Sequence, residues 1–141
     1  MPRAAASREL AASRQDVWRV VADPRRFADW WPNVASVEAG RQGLAPGARW
    51  TIRAPGQPSP FRRSGYSGTL VVLEVRPLER LSWTLSGDRI DADLRLEDAA
   101  DGDRTRAILE LTAAWLVSLP RSLPRRALNR LHDLCQTAAT T

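Results

Sequence analysis

The segment from Ser13 to Glu38, SRQDVWRVVADPRRFADWWPNVASVE, limits the possible folds more than any other part of the chain. Ser13 is a suitable N-cap for a short amphipathic helix, and the Asp23-Pro24 step ends that helix and starts another. Three aromatic residues share one face of the second helix at positions i, i+3 and i+4, namely Phe27, Trp30 and Trp31. An apolar, strand-like run follows. Two short helices before a strand predict a clamp against a curved sheet, an arrangement that usually encloses a cavity.

From this point to Trp115 the sequence alternates between apolar and polar residues, which is typical of half-buried strands. The clearest case is IDADLRLE at 90–97, where four apolar residues alternate with four charged ones. After Pro120 and Pro124, one helical face collects Leu128, Leu131, Leu134 and Cys135. The order is one strand, two short helices, about six strands and one long helix. An α+β fold follows, because a sheet with one apolar face folds most simply by gripping the last helix.

The length and amino-acid composition of the chain exclude several classes of function. A chain of 141 residues is expected to form a single domain, residues 1–141. Cys135 is the only cysteine and His132 the only histidine, so an internal disulfide and a thiolate zinc site are impossible. All 21 basic residues are arginine, which rules out Schiff-base chemistry on lysine. We expect neither a metal nor another cofactor.

Charge and hydropathy indicate the partners and the compartment. The net charge is +5, but residues 39–73 contain no acid, while seven acids fall within residues 88–103. This division into a basic and an acidic region argues against nucleic acid as a partner. No apolar run is long enough for a membrane helix, and the N-terminus has no apolar signal-peptide core. We therefore expect a cytoplasmic protein without an integral membrane segment, either a monomer or a homodimer.

Four segments carry a resemblance to a known superfamily: DVWRVVADPRRFADWWPNVASVE, PGARWTI, YSGTLVVLEVRPLERLSWTL and the amphipathic last helix. In this order they resemble the START-like, or SRPBCC, superfamily, which includes polyketide cyclase/dehydrase-like proteins. The resemblance covers essentially the whole chain. It implies a helix-grip fold: a curved antiparallel sheet of six to seven strands around the long C-terminal helix, with a deep cavity between them. The superfamily includes lipid carriers, hormone binders and cyclases, so the fold does not define the activity.

The cavity expected from this fold suggests ligand-binding residues. Trp50, Trp83 and Trp115 lie on strand faces that should point inward, and Trp31 is expected at the mouth. Trp18 and Trp30 are expected to fill the core instead, and the other tryptophans can also do so. Tyr66 follows a Pro/Gly/Ser-rich loop and either orients a polar group of the ligand or lies at a strand edge in water. The predicted walls are Trp31, Trp50, Tyr66, Trp83, Trp115, Leu128, Leu131 and Cys135.

Three functions remain open from the sequence. The leading hypothesis is binding or transport of a small hydrophobic ligand, neutral or anionic, such as a lipid, fatty acid or polyketide. In the alternative, a polyketide aromatase/cyclase-like enzyme uses Tyr66 or His132 for proton transfer. A third hypothesis is an interaction module for a protein partner. No nucleophile–base set is recognisable, so we assign no catalytic residue. The loop with Phe61, Arg62 and Arg63 is either an ordinary loop or a lid that attracts an acidic head group.

Overall fold

The computed structural model describes residues 3–32, 34–53, 67–86, 89–99, 103–113 and 121–139, without the side chains of 67 and 137–139. A short 3-10 helix, Pro24–Arg26, precedes the second α-helix. The elements in chain order are β1 (Arg3–Leu10), α1 (Arg14–Val21), α2 (Phe27–Trp30), β2 (Ser36–Ala39), β3 (Arg49–Arg53), β4 (Ser67–Arg76), β5 (Arg80–Leu85), β6 (Ile90–Asp98), β7 (Thr105–Ala113) and α3 (Leu123–Ala139). The predicted order of elements is confirmed.

Local side-chain chemistry defines the two early helices. The Ser13 hydroxyl accepts a hydrogen bond from the Asp16 backbone N–H at 3.3 Å, which caps α1. The Asp23 carboxylate accepts one from the Arg25 N–H at 3.0 Å and caps the 3-10 helix. Trp31 then adopts an extended backbone, with φ −86° and ψ 122°, as expected for a residue before proline. The chain therefore turns sharply at the end of α2 and leads into the sheet.

The seven strands form one antiparallel sheet in the order β1-β7-β6-β5-β4-β3-β2. Within the described residues, β1 and β2 lie at its two edges. Burial alternates along the strands as the sequence predicts: in β3, Trp50 and Ile52 are buried while Arg49, Thr51 and Arg53 are exposed. The same alternation holds along β6 and β7. The α+β helix-grip fold is confirmed.

Helix α3 packs across one end of the sheet. It contacts β1 and β7, and it also contacts α1 and α2. Its buried side chains follow helical spacing, while Arg125, Arg126 and Arg130 are exposed. The buried residues of α3 include Leu123, Ala127, Leu128, Leu131 and Cys135. They join the inner faces of the strands in one continuous core.

The outer face of the sheet is polar and carries ion pairs. Arg80 Nε lies 2.7 Å from Asp93 Oδ1, which also accepts a hydrogen bond from Ser82 Oγ at 2.7 Å. The hydrogen bond and the charge of Asp93 raise the pKa of Arg80 above its ordinary value. Among the described residues, no helix combines the length and the apolar character that a membrane crossing requires.

Candidate ligand-binding site

Five aromatic side chains meet on the inner face of the sheet, and we call them the aromatic cluster: Phe27, Trp30, Trp31, Trp50 and Trp83. Phe27 is its centre. The Phe27 ring centroid lies 5.4 Å from that of Trp30 and 5.6 Å from that of Trp31. It lies 6.0 Å from Trp50 and 5.8 Å from Trp83. Helix α2 and the residue after it therefore cover the strands β3 and β5 with three rings.

Most of these rings meet edge to face. Trp30 and Trp83 have centroids 6.0 Å apart with ring planes at 90°, and Trp31 and Trp83 have centroids 5.4 Å apart at 76°. Phe27 and Trp31 are the stacked pair, with an angle of 13° between the rings. Each such contact contributes about 0.5–1.5 kcal/mol beyond the area it buries. The rings therefore hold one another in a defined arrangement.

Apolar side chains surround a narrow space within this cluster. A gap too narrow for a water molecule lies among Phe27, Trp50, Leu70, Val72, Leu81 and Trp83. These lining residues have no charged groups. In the part of the chain that the structure describes, the hollow expected from the sequence is thus reduced at this point to a dry gap between rings.

The indole N–H groups of the cluster differ in their hydrogen bonds. Trp50 Nε1 donates to the carbonyl oxygen of Gly43 at 2.7 Å. Gly43 has φ +57°, a turn conformation that glycine adopts without strain, and this turn presents the carbonyl. Trp30 Nε1 and Trp83 Nε1 are buried and have no hydrogen-bond partner within the described residues. A buried donor without a partner destabilises a protein by roughly 1–3 kcal/mol.

The remainder of the core is aliphatic apart from Cys135, and we call six of its residues, on β6, β7 and α3, the aliphatic end: Leu94, Leu109, Leu111, Leu128, Leu131 and Cys135. All six are buried. The pKa of the Cys135 thiol is raised to about 11, mainly by burial and secondly by the carboxylate charge of Asp16, while Arg26 partly opposes both. Such a thiol is neutral at physiological pH and acts as a small apolar side chain.

The structure brings some of the predicted site residues together. Trp31, Trp50 and Trp83 join the aromatic cluster, with Trp31 buried in it rather than open to solvent. Leu128, Leu131 and Cys135 are buried on α3 as the helical pattern predicts. Tyr66 and Trp115 lie outside the described residues, as does the loop with Phe61, Arg62 and Arg63. A ligand-binding role for all these residues stays a prediction.

Sequence reasoning missed two central members of the cluster as site residues. The sequence places Phe27 on a helical face and predicts that Trp30 fills the core, and it indicates a ligand-binding role for neither. Trp30 is indeed buried in the core, but it also carries one of the unpaired donors. The available signal was the i, i+3, i+4 spacing itself, because it places Phe27 and Trp30 beside Trp31. A pattern of buried rings gives no information on which N–H groups find acceptors.

The proton-transfer candidate on α3 lies apart from the lining residues named above. The side chain of His132 is 15% exposed, and its Nδ1 lies 3.5 Å from Asp133 Oδ1. Its role in the cyclase alternative stays a prediction. Within the described ranges, no three side chains of the types His, Cys, Asp and Glu gather as potential metal ligands.

The chain belongs to the polyketide cyclase/dehydrase and lipid transport family, which it matches over residues 1–134. No curated protein matches its sequence. Solved structures of the same fold include XoxI from Bacillus cereus, at 11% identity and a TM-score of 0.73, with 96% of each chain covered. NE0264 from Nitrosomonas europaea is 18% identical with a TM-score of 0.69, covering 99% of this chain and 97% of that one. TTHA0849 from Thermus thermophilus is 17% identical with a TM-score of 0.69, covering 98% and 99%. At these identities the likeness establishes the fold alone.

Proposed function

We propose that this protein binds a small hydrophobic molecule between α2 and the strands β3 to β5, with the aromatic cluster as the contact surface. The observation that carries the proposal is the meeting of five aromatic rings, three of which, Phe27, Trp50 and Trp83, line a narrow apolar gap. Membership of a family named for cyclases, dehydrases and lipid transport supports a hydrophobic ligand. Ligand sites are mostly apolar and aromatic with few polar groups, and this lining has that composition.

The same lining favours binding over catalysis at this position. The six described residues around the gap offer no titratable side chain for proton transfer. General acid–base catalysis needs such a group within hydrogen-bond reach of the reacting atom. We therefore propose a carrier or sensor of a hydrophobic compound. The aromatase/cyclase alternative is tested separately by the variants Tyr66→Phe and His132→Gln. Unchanged product formation in both variants would exclude an enzyme that uses either residue for proton transfer.

Binding at this place requires the rings to move. Because the gap among the described rings does not admit water, a guest must separate the α2 rings from Trp50 and Trp83. Helix α2 has four residues and is followed at once by the extended Trp31, so few helical hydrogen bonds hold it in place. The free energy of parting the rings is subtracted from the gross binding energy. We expect a ligand to change the environment of several tryptophans together.

The experiment is a binding panel read by tryptophan fluorescence and by the midpoint of thermal unfolding. The panel contains two-ring aromatic hydrocarbons, neutral aromatic ketones and long-chain fatty acids. We expect at least one class to bind and to raise the midpoint, because a ligand at 100 times its Kd stabilises the folded state by about 2.7 kcal/mol. Binding should also show a negative heat-capacity change, as expected for buried apolar surface.

Two matched variants locate the site. Phe27→Leu removes the ring that contacts the other four and should weaken binding by about tenfold or more. Leu109→Val makes a similarly small change at the aliphatic end and should leave the affinity unchanged. An equal loss of affinity in both variants would mean that the ligand does not bind at the aromatic cluster. If no compound in the panel binds, the proposal is wrong.

A further inference from the structure

The aromatic cluster contains two polar groups that nothing in the described structure uses. Trp30 is 0% exposed and Trp83 is 1% exposed, so water cannot easily reach either ring. Their Nε1–H groups have no hydrogen-bond partner within the described residues. Most buried polar groups in proteins do find partners, so two unpaired donors in one ring cluster require an explanation.

Both donors can serve one ligand. The two ring centroids are 6.0 Å apart, and Trp83 lines the apolar gap. Trp30 does not line the gap, but it lies on α2, so a molecule that parts the α2 rings from Trp83 comes to lie beside both indole rings. An indole N–H only donates, so the complementary group on the molecule must be a hydrogen-bond acceptor.

The surroundings also limit the charge of that acceptor. The described residues that line the gap and the five residues of the aromatic cluster are all uncharged, so none of them supplies a positive charge. A carboxylate placed there would lose its hydration without an opposite charge, whereas a ketone, ester, amide or quinone oxygen loses much less. A neutral carbonyl is thus favoured over the anionic head group that the sequence left open.

We infer that the indole N–H groups of Trp30 and Trp83 are the polar recognition groups of the site, and that its ligand is a flat, apolar, uncharged carbonyl compound. This inference rests on the proposed function, because it concerns the same cluster. The alternative is that each N–H contacts the face of a neighbouring ring, since the edge-to-face geometry permits such weak contacts. In that case the donors have no role in recognition.

Trp50 provides an internal control. It belongs to the same cluster and is as deeply buried as Trp83, but its N–H already donates to the Gly43 carbonyl. Replacement of any of the three tryptophans by phenylalanine removes a similar volume. Only Trp30→Phe and Trp83→Phe remove a donor that is available to a ligand.

The experiment uses three probes with one two-ring body: 2-acetylnaphthalene, 2-ethylnaphthalene and 2-naphthoate. We expect the ketone to bind about tenfold more tightly than the hydrocarbon and the carboxylate to bind weakest. In protein labelled with 15N-tryptophan, the ketone should move the indole proton signals of Trp30 and Trp83 downfield and the hydrocarbon should not. The Trp50 signal should lack this hydrogen-bond shift with either probe.

Three Trp→Phe variants test whether the indole donors select the ketone, and the quantity measured is the ratio of the affinities for the ketone and the hydrocarbon. Trp30→Phe and Trp83→Phe should each reduce the preference for ketone over hydrocarbon severalfold. Trp50→Phe should lower the affinity for both probes and leave their ratio unchanged. If a Trp variant does not fold, the indole shifts of the unaltered protein still show whether the N–H groups of Trp30 and Trp83 bind the ketone oxygen.

The outcomes separate this inference from the proposed function. Binding of 2-ethylnaphthalene with no ketone preference and no indole shift overturns the inference and leaves the hydrophobic site intact. Tightest binding of 2-naphthoate overturns the assignment of a neutral ligand. If none of the three probes binds while another compound of the wider panel does, this inference fails and the proposed function stands, whereas both fail if no compound of the panel binds.

Discussion

The aromatic cluster and the aliphatic end belong to one continuous core, but they differ in the polar atoms that their own side chains bury. The six side chains of the aliphatic end are hydrocarbon apart from the Cys135 thiol, a weak donor, so they bury no N–H group. In the aromatic cluster, the N–H groups of Trp30 and Trp83 are buried without partners within the described structure. The first region is thus arranged for stability, while the second keeps donors that destabilise the ligand-free protein.

This difference shows where to look for function in a fold that many activities share. Local violations of good packing and pairing rules tend to occur at functional sites, because selection retains them there at the expense of stability. Aliphatic residues bury area without leaving polar atoms unpaired, whereas a buried indole N–H without a partner opposes the stability that its ring provides. The unpaired indole N–H groups of Trp30 and Trp83 are therefore the basis on which we propose a ligand site in this cluster.

The largest effect is expected from a cavity at the aliphatic end. Leu109 is 0% exposed and pairs with Leu94 across β6 and β7. Leu109→Ala should lower the free energy of unfolding by about 2–5 kcal/mol, measured by urea denaturation followed by circular dichroism. Leu73 is 51% exposed, and Leu73→Ala should change the free energy of unfolding by less than about 0.5 kcal/mol. A loss for Leu109→Ala as small as that of Leu73→Ala would mean that the aliphatic end is loosely packed.

The sequence was sufficient for most of the fold. Period-two alternation predicted the inner faces of β3, β5, β6 and β7, because each strand has one buried and one solvated face. Ser13 predicted the start of α1, and the Asp23-Pro24 step predicted its end and the restart of helical structure at the 3-10 helix. These features depend on neighbours along the chain, so local patterns reveal them.

The site was less predictable, because it depends on contacts between distant residues. Trp30 and Trp83 are 53 positions apart, and whether an indole N–H finds an acceptor depends on the fold around it. The pairing of Trp50 with Gly43 needed the positive φ of a turn seven residues away. Alternation placed Trp50 and Trp83 on the inner face, but it could not distinguish a paired donor from an available one.

A second prediction tests the aliphatic end by pH. The folded protein holds the pKa of Cys135 at about 11, above the ordinary value of 9.0. Between these values the unfolded chain releases the thiol proton while the folded chain keeps it. Stability should therefore fall as pH rises from about 9 to 11, by on the order of 2 kcal/mol, and this group should have no effect below that window. The measurement is urea denaturation at a series of alkaline pH values.

The composition makes this test unusually clean. The chain has no lysine and a single tyrosine, so few other groups titrate between pH 9 and 11. Cys135→Ala is the control, because it removes the thiol and keeps all remaining groups. The difference in stability between the two proteins should change with pH in that window. A difference that stays constant would show that Cys135 is accessible to water and that α3 does not seal this end.

The smallest expected effect is a difference in stability between variants of two tryptophans in the aromatic cluster, measured without any ligand. Trp50→Phe and Trp83→Phe remove similar volumes from positions that are equally buried. Trp50→Phe also breaks the hydrogen bond to Gly43, whereas Trp83→Phe removes a donor that has no partner within the described residues. Trp50→Phe should therefore be more destabilising by roughly 1–2 kcal/mol in urea denaturation. Equal losses, or a greater loss for Trp83→Phe, would mean that the hydrogen bond to Gly43 does not outweigh the three ring contacts of Trp83, and that the difference in pairing between the two indoles does not determine their contributions to stability.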